Sequence, residues 1–273
     1  MSKWEIGVYT SNHIPTVNYD ENNELSIHME YDHLEQRYFY FDAKCLNYIT
    51  PEDKPENIVP IIEGIAIIAN GAIVLITKNV KKALEIDWNQ IFYDEKKISI
   101  YKIDFQPSIN PFSIITKSQT RISLHNPKGI ASLVNFARKY DEIREILFMI
   151  GTFVDMPNIN KNISTWTTLY AITDTIFYYM SDKYKAKEFD SQKGKKKVKD
   201  KTLEMIGENE VEYERFARTA NNFDYLGIYA RHGRQDFQPP KNPMTLEEGF
   251  NFVFKMVDKF FHYGATRNFL EVL

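Results

Sequence analysis

The sequence predicts an α+β chain in two parts: a β-rich domain over residues 1–125 and a four-helix domain over residues 126–273. Three observations lead there. Glu24–Glu30 and Lys97–Phe105 alternate apolar and polar residues at period two, which marks half-buried antiparallel strands. At Asn126-Pro-Lys-Gly129 the period changes. From Ile130 onward apolar residues recur at helical spacing.

The first part holds two further candidate strands, Tyr38–Phe41 and an edge strand at Gln119–His125. Two β-rich apolar runs between Ile61 and Ile76 flank Asn70-Gly71, the strongest short-range hairpin signal; a buried helix before that turn is the alternative reading. The domain reads as a small antiparallel sheet or barrel, either structural or a recognition surface for a ligand or partner. His13, His28, His33 and His125 are scattered without triad or ligand spacing and read as satisfied or solvent-facing. No His/Cys cluster has zinc-ligand spacing, so neither a metal nor a cofactor is expected. The single cysteine, Cys45, excludes an internal disulfide and fits a reducing compartment. The longest apolar run, Ile65 to Ile76, is interrupted by Asn70 and Gly71 and reads as too short to cross a bilayer. With no signal pattern in Met-Ser-Lys-Trp-Glu-Ile, a soluble cytoplasmic protein without membrane contact is expected.

Four helices are expected in the second part. Ile130, Leu133, Val134, Ala137, Ile143, Ile146, Leu147 and Ile150 form the first stripe, with Gly151 as a stop. The next runs from about Ile163 to Lys183, capped by Ser164 or Thr165, around Trp166, Leu169, Ile172, Ile176 and Met180. A third covers Leu203 to His232, broken near Gly207 and bent near Gly227, and delivers Arg231 and His232 at its end. The last spans Thr245 to Tyr263, and Thr245-Leu-Glu-Glu248 has the capping-box pattern. Short links make these an up-and-down bundle.

Net charge divides unevenly. Residues 1–125 carry 12 basic against 17 acidic side chains and the remainder 22 against 20, a balance too mild to require a nucleic-acid partner. A local cluster says more: residues 183–201 hold nine lysines against three acids. Such a run reads first as a solvated loop. Lys193, Lys195, Lys196, Lys197 and Lys199, with Arg234, can also neutralise phosphates without reading bases.

Ala230-Arg-His-Gly233, the segment Pro243-Met-Thr-Leu-Glu-Glu-Gly-Phe250, and Thr165 to Ile176 together resemble HEPN-type helical domains, closest to the bacterial ApeA-like branch. The resemblance covers about the last half of the chain. It implies a homodimer and, in the ribonucleases of that family, metal-independent RNA cleavage at an arginine and a histidine separated by four to six residues. This sequence departs from that spacing. After Arg231 the required positions hold Asp236, Phe237 and Gln238, and no arginine stands at the matching distance before His232. Lys255 and His262 have six residues between them, but lysine lacks arginine's bidentate grip on phosphate. Adjacent helical residues diverge by about 100°, so Arg231 and His232 cannot act side by side.

Three roles for the pair stay open. One is structural, with Arg231 paired to Asp224 or Glu247 and His232 capping carbonyls. Another is catalytic, with Arg231 and His232 in altered geometry. The third is a phosphate or partner site that includes Arg234. The function expected first is a non-catalytic module binding RNA or a partner protein in a bacterial stress or phage-defence setting. The alternatives are a metal-independent ribonuclease (a toxin or defence effector) and a structural subunit that recognises a ligand through its β domain.

Overall fold

A computed structural model describes residues 4–10, 17, 23–31, 37–53, 55–80, 84–100, 106–114, 129–153, 158–183, 192–205, 207–234, 238 and 240–267. Two compact units divide the chain, Met1–Asp155 and Met156–Leu273.

In the first unit, β1 (Trp4–Thr10) turns Trp4, Ile6 and Val8 inward. β2 (Leu25–Tyr31) and β3 (Arg37–Ala43) keep the same alternation, burying Leu25, Ile27, Phe41 and Ala43. Helix α1 (Pro55–Thr77) follows, then β4 (Leu84–Tyr93) and the two-residue β5 (Lys96–Lys97). The strands pair antiparallel in the order β2-β3-β1-β4-β5. Ile27, Phe41, Ile6 and Ile91 lie in one cross-strand row, each fully buried. The fold is thus α+β, as expected, but β1 and β4 at the middle of the sheet had not been anticipated. The expected edge strand Gln119–His125, like His13, His33 and His125, lies outside the described residues. Of Lys97–Phe105 only the first residue joins a described strand, β5.

The hairpin expected at Asn70-Gly71 is instead the middle of α1. Both residues are buried there and serve packing. The Asn70 side-chain amide donates to the Leu84 carbonyl (3.0 Å), and its oxygen accepts the Leu84 N–H (2.6 Å), so the helix holds the start of β4. Within α1, Glu56–Thr77 is 22 residues long and its most apolar 18-residue stretch has a mean hydropathy of 2.2, long and apolar enough to cross a membrane, contrary to the sequence reading. Of its most apolar stretch, 89% is buried inside the protein, which makes it a core helix.

Helices α2 (Ile130–Lys139) and α3 (Asp141–Gly151) pack on α1 and belong to this unit, which moves the division from 125/126 to 155/156. Extended backbone at Tyr140 (φ −119°, ψ 120°) separates what had read as one helix. The helix does end at Gly151, as expected, but with Gly151 as the last helical residue of α3, set against the Ile67 carbonyl of α1. The four-helix bundle therefore loses its first expected member to the sheet unit.

The second unit is helical among its described residues. It consists of α4 (Asn158–Lys183), α5 (Gln192–Met205), α6 (Glu210–Ala220), the single turn α7 (Phe223–Leu226) and α8 (Leu246–Arg267). α4 begins before Ser164, so neither Ser164 nor Thr165 caps it. Phe216 sits at the centre of its core, with ring centroids 5.4 Å from Phe252, 6.0 Å from Trp166 and 6.1 Å from Tyr170. The predicted capping box is present: Glu248 N–H donates to Thr245 Oγ1 (3.2 Å), and Thr245 N–H donates to Glu248 Oε2 (2.7 Å). Thr245→Ala is expected to cost about 1 kcal/mol in urea unfolding. Thr245→Ser, which keeps the acceptor, is expected to unfold close to wild type.

Candidate functional site

Asn221 and Asn222 end α6, because their short amides hydrogen-bond the local backbone in place of continuing a helix. Asn221 Nδ2 donates to the Ala217 carbonyl (2.9 Å), and the Asn222 side chain accepts from the Tyr225 N–H (2.7 Å) to start α7. Gly227 then takes φ +60° and ψ −129°, a conformation closed to residues with a Cβ, and turns the chain into a 3-10 turn at Gly227–Tyr229. The long helix expected from Leu203 to His232 does not form. Arg231 and His232 lie instead in an irregular segment folded back on α6, where the Arg231 N–H donates to the Ala220 carbonyl (2.8 Å).

This placement ties Arg231 to α4. Its guanidinium carbon stands 3.8 Å over the Tyr170 ring, and Nη2 lies 3.4 Å from Asp174 Oδ2. Tyr170 and Asp174 are four residues apart and so share one face of α4. Ring and carboxylate together hold the cation. Burial raises the Asp174 carboxyl above its ordinary range, and Arg231 opposes that rise. Neither expected partner of Arg231 is used: Asp224 pairs with Arg234 (3.3 Å), and the carboxylate that holds Arg231 is Asp174. His232 is exposed and lies in the irregular segment, outside any described helix. Lys255, the other candidate cation, lies 3.4 Å from Glu208 Oε1, beside Lys259 at 2.9 Å.

The lysine run separates into two groups once its second half is seen to be helical. On α5, Val198, Thr202 and Leu203 face inward. Lys199 turns with them, paired with Glu214 and standing 4.4 Å over the Tyr213 ring, so its charge is already committed. Burial pushes the Tyr213 hydroxyl well above its ordinary value. Lys196, Lys197 and Lys201 are exposed. Lys197 and Lys201 stand four residues apart on one helix face; Lys193 and Lys195 belong to the same helix, and their side chains lie outside the described residues. A shallow groove open to solvent is lined by Lys196, Lys197, Asp200, Lys201 and Glu204.

A second polar constellation, missed in the sequence, occupies the sheet face opposite the apolar row. His28 Nε2 lies 3.7 Å from Glu30 Oε1, and Nδ1 lies 4.0 Å from Asp42 Oδ2. Ser26 Oγ donates to that same Asp42 oxygen at 2.5 Å. Glu5 on β1 joins His28 and Glu30, one ligand atom of each lying within 4.8 Å of the others. Burial first, and then the charge of Glu30, raises the Glu5 carboxyl above its usual range. Burial likewise raises Asp42, against the hydrogen bond from Ser26. Alternation alone places His28 and Glu30 opposite Ile27. Bringing Glu5 beside them takes the pairing of β1 with β3, which spacing within one segment does not reveal.

Compared with known proteins, the chain matches no family model, no curated protein and no solved structure.

Proposed function

We propose that the helical unit is a non-catalytic, HEPN-like module that binds RNA along its phosphate backbone through α5. The observation that carries this reading is the exposed set Lys196, Lys197 and Lys201 on a helix with six lysines against two acids. Exposed lysines along a helix meet phosphates as point charges, without the aromatic platforms needed to read bases. The non-catalytic half of the reading rests on Arg231. Its cation is engaged by Asp174 and Tyr170, and no histidine stands at the family's spacing from it. A homodimer in the bacterial cytoplasm, in a stress or phage-defence setting, completes the proposal.

The test is fluorescence anisotropy with a labelled single-stranded RNA over a range of salt. Wild type is expected to bind with affinity that falls steeply as salt rises. Replacing Lys196, Lys197 and Lys201 together by glutamine is expected to lower affinity at least tenfold and flatten the log–log salt slope by about 2, since each phosphate contact on a single strand contributes about 0.7. A triple variant that binds like wild type would overturn the assignment to α5.

A further inference from the structure

We propose that the outer face of the sheet binds a divalent transition-metal ion of the zinc class through His28, Glu5 and Glu30, with Asp42 orienting the imidazole. Three features of the site point the same way. The ligand atoms already converge. In tetrahedral coordination with bonds of about 2.0–2.2 Å, neighbouring ligand atoms stand roughly 3.4 Å apart. His28 Nε2 and Glu30 Oε1 are at 3.7 Å, and the whole set lies within 4.8 Å. Closing on an ion needs side-chain shifts of about an ångström toward the tetrahedral spacing, with the imidazole closing on Asp42 from 4.0 Å.

The second feature is what stands behind the imidazole. Asp42 is buried, lies 4.0 Å from His28 Nδ1 and has its Oδ2 fixed by the Ser26 hydroxyl. A metal-binding histidine characteristically gives its other ring N–H to a carboxylate, which sets the tautomer and turns the free nitrogen to the ion. The Tyr40 ring, stacked on His28 at a centroid distance of 5.8 Å, holds the imidazole plane from the side. The order of groups also speaks against a nucleophilic triad. There the histidine stands between hydroxyl and carboxylate, whereas here Asp42 stands between Ser26 and His28. Ser26 is therefore a support for Asp42.

The third feature is access. The Glu30 side chain is 57% exposed, which opens the site to solvent on one side. Three protein ligands leave a fourth position for water. The donor set decides the class of ion: calcium and magnesium favour oxygen ligands alone, whereas one imidazole with two carboxylates suits zinc and its neighbours.

The test uses the full chain freed of metal and titrated with Zn²⁺ by calorimetry, with Co²⁺ as a visible-absorption probe of the same site. One ion per chain is expected, with Mg²⁺ and Ca²⁺ failing to compete at equal concentration. Glu30→Gln leaves an exposed position folded, checked by circular dichroism, and is expected to weaken Zn²⁺ binding at least tenfold. His28→Gln and Glu5→Gln are expected to do the same and to abolish the Co²⁺ spectrum. Asp42→Asn, which disturbs only the support, is expected to weaken binding about 10–100-fold and to shift the Co²⁺ bands without removing them. Absence of saturable Zn²⁺ binding overturns the proposal, as does binding that survives Glu30→Gln and Glu5→Gln in folded protein. Equal binding of Mg²⁺ overturns the assignment of the ion.

Discussion

Replacing Gly71 by alanine is expected to destabilise the N-terminal unit by about 3 kcal/mol, at the upper end of what overpacking costs. Helices α1 and α3 meet at two glycines, one on each. A Cβ at Gly71 would stand 1.9 Å from the Leu147 carbonyl oxygen, and one at Gly151 would stand 1.9 Å from that of Ile67. Both obstacles are backbone atoms, so no side chain can rotate away, and the helices must part. Helix propensity acts in the opposite direction, by about 1 kcal/mol in favour of alanine. The sign of the measured change therefore decides between close packing and propensity. Urea unfolding of Gly71→Ala reads it, and a gain in stability would contradict the packing described. Gly71→Ala with Gly151→Ala is expected to cost less than the two single changes added, since parting the helices once relieves both clashes.

Arg138→Met is expected to cost about 3–5 kcal/mol, because it strands the carboxylate of Glu24. Glu24 is fully buried at the start of β2. Its Oε2 accepts from Arg138 Nη1 (2.5 Å), and its Oε1 accepts from the Cys45 N–H (2.6 Å). Its own N–H donates to Asn135 Oδ1 (2.7 Å), so the group joins α2 to the sheet. Burial raises the Glu24 carboxyl above its ordinary value, while Arg138 opposes the rise. Without the arginine the rise is larger, and the folded state then holds a proton more tightly than the unfolded chain. The stability lost in Arg138→Met is therefore greatest at high pH and partly regained as pH falls through the raised Glu24 value. Unfolding at several pH values checks the trend. Glu24→Gln combined with Arg138→Met is expected to be more stable than Arg138→Met alone, since no unpaired charge remains; a double variant no better than the single would contradict this account.

Legibility in the sequence followed whether a residue's role was local. β2 was readable because Leu25 and Ile27 alternate with polar neighbours, and part of β3 because Tyr38–Phe41 is a run of strand-forming aromatics. β4 pairs with β1 through a register shift, Ile6↔Ile91 and then Val8↔Ile86, and that irregularity breaks its alternation. Asn70-Gly71 misled because turn chemistry presumes solvent around the dipeptide, whereas here the amide binds Leu84 and the glycine admits Leu147. The box at Thr245 and Glu248 was legible because its parts lie three residues apart. At the candidate sites the limits were the same. The lysines were visible, but which of them point outward depended on α5 being a helix, and Lys199 depended on Glu214 and Tyr213. The partners of Arg231 lie more than fifty residues away on α4 and could not be inferred from spacing.

The most direct test of the central claim incubates the full chain with single-stranded RNA in excess chelator, reading mobility and length of the RNA from the same sample. The account predicts RNA that is retarded by the protein and intact after incubation, with His232→Ala behaving like wild type. Shortened RNA, with cleavage lost in His232→Ala, would contradict it and would return Arg231 and His232 to the role of a catalytic pair.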